Sequence, residues 1–141
     1  ELRFIAFDGE ELGLIGSQAY VKALSSAEKG RILAMFNLDM ITTGQTLEVA
    51  GVKTLAGLAK GVALDLGLRD VEVRATERDG GGSDHASFSQ ANIPFLFFNR
   101  QSDPNYHRPS DTSDKFTPKP LDETAQIMLG TLQRFLLNQG Q

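Results

Sequence analysis

Two stretches of this chain, "ILAMFNLD" at 32–39 and "IPFLFF" at 93–98, are apolar runs of strand length. A strand with one wet face alternates apolar and polar residues, whereas a continuous run fits a strand covered on both faces. The segments around them change period. Residues 2–7, "LRFIAF", read as a further buried strand, and 12–24 as a helix with Leu12, Ile15, Ala19, Tyr20 and Ala23 on one face. A short strand is expected at 46–50 after a turn at Gly44, then a helix at 54–66 ended by Gly67, then an alternating strand at 71–75. A glycine-rich loop, "RDGGGSD", spans 78–84, and a short helix covers 83–90. The 93–98 strand carries Pro94 near its start, a polar loop fills 99–117, and a long amphipathic helix closes the chain at 118–138. Strands alternating with helices predict an α/β domain of three layers, α/β/α, around a mainly parallel mixed sheet.

The 141 residues suit a single domain spanning 1–141, with no repeat or linker to divide it. The net charge of −4 argues against a nucleic-acid partner, and the apolar runs are too short to span a membrane. There is no cysteine, so disulfides and thiolate metal sites are excluded. The chain opens on Glu1 without methionine or leader, which reads as a piece of a longer protein or a processed product.

In α/β sheets the functional crevice lies beyond the carboxyl ends of the strands. Three expected strands lead there into polar residues: Asp8-Gly9-Glu10-Glu11, Asn37-Leu38-Asp39, and the loop holding "YHRPSDT" at 106–112. Carboxylates and imidazole from distant points would thus meet at one edge, a donor mixture that zinc takes. Taken singly, each has a plainer reading. Glu10 and Glu11 could sit at the positive end of a helix, Asp39 could be a turn residue, and His107 a loop histidine. Asp84 and His85 would serve a helix start, with site lining as the alternative. The three glycines lack the lysine of a phosphate-binding loop.

Together, "FIAFDGEELGLIGSQAY", "FNLDMI", "GSDHASF" and "YHRPSDT" resemble, in order, the motifs of the co-catalytic zinc aminopeptidases of the bacterial leucyl aminopeptidase and aminopeptidase Y type. The resemblance implies a metal-dependent exopeptidase acting on peptides with a free N-terminus, with two zinc ions in the intact domain. It implies Glu10 as general base, Glu11 and His107 as ligands of one zinc, and Asp39 as a ligand of the other. Tyr106 would polarise the substrate carbonyl, and Asp111 would support His107 or its loop. Adjacent glutamates then make sense: a dication offsets the desolvation of one, and the other works on the activated water.

The family also has a histidine and a metal-bridging aspartate that would precede Glu1, so this chain carries three of five expected ligands and the N-terminal part of the family domain is missing. Alone it is expected to be inactive and to associate with itself or with the missing segment. The residues give no compartment, and the resemblance leans to a secreted or periplasmic location. Rival readings are a carboxypeptidase or glutaminyl cyclase on the same scaffold, the cyclase disfavoured by Tyr106, and a non-catalytic interaction domain of the transferrin-receptor kind.

Overall fold

The computed structural model describes residues 1–77, 81–100 and 103–140. Its elements are α1 (Ile15–Ala23), α2 (Ser26–Lys29), β1 (Met35–Leu38), β2 (Leu47–Gly51), α3 (Lys53–Asp65), β3 (Val71–Ala75), α4 (His85–Gln90), β4 (Phe95–Arg100) and α5 (Pro118–Gln139), with one 3-10 turn at Ser113–Lys115. Among the described residues four strands form one sheet in the order β1-β4-β2-β3. β1 runs parallel to β4 and β2 parallel to β3, while β2 and β4 are antiparallel. The sheet is therefore mixed, with parallel pairs on either side of one antiparallel seam.

Apolar side chains fill both faces, which makes three layers. On one face Leu55, Ala59, Val62 and Ala63 of α3 and Ile127 of α5 pack over Leu47, Val49, Leu96 and Phe98. Small residues let these helices lie close: a Cβ at Gly130 would come within 2.8 Å of Val62. On the other face Val21, Phe88 and Ile93 gather Phe7, Tyr20 and Met35. α5 opens on Pro118 at its first turn, where the missing N–H costs nothing, and buries Thr124, Ile127 and Thr131 at helical spacing. Gly67, at φ +68°, ends the turn after α3 as expected.

Two sequence expectations are corrected. Residues 2–7 form no strand: their backbone joins no ladder, and Leu2, Phe4 and Ile5 stand in solvent. A strand is a paired object, and among the described residues no strand pairs with that segment. The first helix begins at Ile15 rather than at 12, because Gly13 (φ +100°) and Leu14 (φ +60°) take left-handed conformations that a helix cannot continue. Residues 78–80 of the glycine-rich loop and 101–102 of the long polar loop lie outside the described residues. Among the described residues no helix is long and apolar enough to cross a membrane.

Candidate active site

β1 and β4 are parallel, so their carboxyl ends emerge side by side. Beyond them lies a cleft of about 450 Å³, and Glu10, Glu11, Asp39, Tyr106, His107 and Asp111 all line it. The six residues come from three separate stretches of sequence.

Glu10 and Glu11 sit in a tight turn ahead of α1. Gly9, at φ +66°, reverses the chain, and its carbonyl accepts from the Ile15 N–H at 3.1 Å. The Glu10 carbonyl accepts from Leu14 N–H at 2.8 Å, and the Asp8 carbonyl from Gly16 N–H at 2.9 Å. This winding, not an extended strand end, fixes the two glutamates. Glu10 is half-buried and Glu11 exposed. Burial raises the Glu10 carboxyl above its usual range, and the nearby carboxylates of Asp39, Glu11 and Asp84 push the same way, with His107 opposing.

Asp39 follows β1 directly. Its N–H donates to the Phe98 carbonyl at 3.1 Å and so extends the ladder to β4 by one residue. Met40 then turns away at φ +54°, its carbonyl held by the Arg100 N–H at 3.0 Å. His107 also has positive φ, +57°, uncommon for a residue with a Cβ and a frequent mark of functional loops. Its Nε2 lies 2.8 Å from Glu11 Oε1, which joins residues 96 positions apart. The Tyr106 ring stacks on the His107 ring with centroids 3.8 Å apart, and Tyr106 stays half-exposed to the cleft.

Asp84 and His85 stand at the start of α4, as expected, but not as side-chain caps. Asp84 occupies the N-cap position of α4 but its side chain caps nothing, and its buried Oδ1 has no hydrogen-bond partner. His85 is fully buried, stacked on Phe97 at 4.2 Å, with Nδ1 3.4 Å from the Asn37 amide that also donates to Ser83 Oγ at 2.8 Å. This polar knot lies two residues before Asp39. Sequence reasoning also passed over Met40, Gly82, Asn99 and Asp103, which line the cleft. The Asp-Pro-Asn run at 103–105 is a turn signal that could have drawn attention to Asp103.

The donors facing the cleft fit a zinc-type ion in kind: carboxylate oxygens and one imidazole, with the orphaned Asp84 oxygen near enough to Glu10 to raise its pKa. In number they fall short. Among the described residues no three His, Cys, Asp or Glu side chains close around one point.

Known proteins share this sequence and this fold. Aminopeptidase YwaD of Bacillus subtilis is 33% identical over 142 residues, covering 91% of this chain and 30% of its own length. The structure of BSAP, a zinc aminopeptidase from Bacillus subtilis, superposes with a TM-score of 0.82 at 30% identity, covering 94% of this chain and 35% of that one. An aminopeptidase from Aneurinibacillus sp. strain AM-1 matches with a TM-score of 0.74 at 34% identity, covering 89% of this chain and 31% of that one. The chain thus spans about a third of the length of these relatives. The sequence profile of Peptidase family M28 matches residues 1–132, almost the whole chain. With the fold and the profile in agreement, the chain belongs to peptidase family M28.

Proposed function

We propose that this chain is the C-terminal part of a zinc-dependent aminopeptidase domain, which hydrolyses the N-terminal peptide bond of peptides with a free amino terminus. The observation that carries the reading is the convergence of Glu10, Glu11, Asp39, Tyr106 and His107 on one cleft. The relatives' names point to aminopeptidase rather than to the cyclase or receptor-like alternatives.

Glu11 and His107 would hold one ion and Asp39 the other, with the remaining ligands on a segment ahead of Glu1. Bound zinc would supply an acidified water and a charge that draws electrons from the substrate carbonyl. Glu10 accepts the water's proton at its carboxylate and returns it to the leaving amine nitrogen. The Tyr106 hydroxyl donates to the carbonyl oxygen as negative charge builds there. Glu11 Oε1 and His107 Nε2 face each other at 2.8 Å, the placement that two ligands of one ion require, and Asp111 would support the loop, where its N–H donates to the Arg108 carbonyl at 3.0 Å. The exposed Leu2, Phe4 and Ile5 are the surface that the rest of the domain covers, or that a second copy covers when the chain is alone.

The test uses the complete domain. Glu10→Gln keeps shape but removes the proton acceptor, so turnover should fall by about 10²–10⁴-fold with zinc content unchanged. Glu11→Ala should lower zinc content, and activity should partly recover at high zinc. Near-normal turnover in Glu10→Gln removes the general-base assignment. The 141-residue chain alone should neither turn over nor hold two zinc ions tightly; activity in that chain would overturn the account of the missing ligands.

A further inference from the structure

The segment that follows Asp39 is fastened at several points. The Met40 carbonyl accepts from Arg100 N–H and the Gln45 carbonyl from Arg100 Nη1, each at 3.0 Å, and the Thr42 carbonyl accepts from Thr117 Oγ1 at 3.2 Å. These bonds tie the segment to β4 and to the approach to α5. A different bond runs to the loop that carries Tyr106 and His107: Thr43 Oγ1 donates to Asp103 Oδ2 at 2.8 Å. The other oxygen of the same carboxylate, Oδ1, accepts from the Asn105 N–H at 2.7 Å. The Asp103 carbonyl takes the Tyr106 N–H at 3.3 Å, and the Asn105 carbonyl takes the Arg108 N–H at 2.9 Å. One carboxylate therefore folds the turn into Tyr106 and His107 and joins that turn to the segment leaving Asp39.

We infer that Asp103 is a positioning residue: its Thr43–Asp103–Asn105 latch sets Asp39 on one side of the cleft against Tyr106 and His107 on the other. Two features support this. His107 sits in a left-handed conformation that its own sequence does not favour, so neighbouring contacts must hold it there. Both oxygens of Asp103 are engaged, and the donated hydrogen bonds keep its carboxyl below the usual range, so the acceptor stays ionised at neutral pH. The role in catalysis rests on the aminopeptidase reading above; the latch itself does not.

Two arms separate these. In the 141-residue chain, amide hydrogen exchange is followed at Asn105, Tyr106 and Arg108. Thr43→Val removes the hydroxyl at nearly constant shape and should speed exchange at these amides by about tenfold, while Thr43→Ser, which keeps the donor, should leave it near the parent rate. Asp103→Ala, losing both bonds, should exceed Thr43→Val. In the complete domain, Thr43→Val should weaken zinc binding or lower kcat by about 10–100-fold, the range found when groups supporting a ligand are lost. KM should move less, and Thr43→Ser should restore both. Unchanged exchange in Thr43→Val overturns the latch. Faster exchange with zinc affinity and kcat unchanged in an active domain overturns its positioning role and leaves a merely structural bond. If the parent domain neither binds zinc nor turns over, the aminopeptidase reading fails, and the exchange arm still decides the latch.

Discussion

Residues 2–7, "LRFIAF", and 93–98, "IPFLFF", are almost the same kind of sequence and meet opposite fates. The second becomes β4, an inner strand with neighbours on both sides and with Phe95, Leu96 and Phe98 at 1% exposure or less. The first forms no strand, and Phe4 is 92% exposed. Composition cannot separate them. β4 finds β1 on one edge and β2 on the other, so every apolar side chain it contributes meets a helix and its backbone groups meet partners. The opening segment buries apolar surface at its end, where Phe7 packs against Tyr20 and Phe88 with ring centroids 5.7 and 6.0 Å away. The lesson is that an apolar run of strand length states a demand for burial, and only neighbours can meet it.

The largest effect should come from truncating each run. Phe98→Ala removes a fully buried ring and should cost about 3–5 kcal/mol, read by urea denaturation. Phe4→Ala in this chain should stay within about 0.5 kcal/mol. In a complete domain, where the segment gains neighbours, the Phe4→Ala loss should climb well above that. Equal losses for the two phenylalanines in this chain would break the comparison.

A middle-sized effect is expected where the opening segment turns into the site. A Cβ at Gly16 would come within 2.5 Å of the Asp8 carbonyl oxygen. Gly16→Ala must therefore displace the turn that presents Glu10 and Glu11, at about 1–3 kcal/mol, and should lower turnover of the complete domain more than that loss alone explains. Unaltered kcat in a folded Gly16→Ala domain would show that the turn does not set the glutamates.

The smallest difference between the chain and the complete domain is expected at a control outside both runs. α2 has a reciprocal capping box: Ser25 Oγ accepts from Glu28 N–H at 3.2 Å, and the Glu28 carboxylate accepts from Ser25 N–H at 2.8 Å. Ser25→Ala should cost about 1 kcal/mol, and equally in the chain and in the complete domain. The Ser25 hydroxyl, and then its N–H, hold the Glu28 carboxyl below its usual range. The folded pKa is thus the lower one. The stabilisation is complete above the unfolded carboxylate pKa and is lost as pH falls through the folded value. Chemical denaturation of both forms across that acid range checks the sign.

Much of the fold was legible because local chemistry and final structure agreed. β3 occupies 71–75 as its alternation predicts, and α5 begins at Pro118 where a first-turn proline belongs. Strand ends were off by one to three residues, since a ladder stops where its partner does: β1 starts at Met35, opposite Phe95, although the apolar run begins at Ile32. The residues expected at the site do line one cleft, because Asp39 and the loop of His107 follow the parallel ends of β1 and β4 while the turn at Gly9 brings in Glu10 and Glu11. Asp103 escaped notice since its partners, Thr43 and Asn105, include one 60 positions away, and no spacing rule reaches that far.

By itself the sequence determined which segments wind as helices, which runs are apolar enough to demand burial, and which side chains offer metal-type donors. Those properties follow from periodicity, proline and glycine geometry, and donor type, all local to the chain. Only the tertiary structure decided that 93–98 is a strand and 2–7 is not, that β2 runs antiparallel to β4, and that Glu11 meets His107 across 96 positions. Those outcomes depend on which backbone edges and charges find partners, and a partner is a property of the assembled molecule.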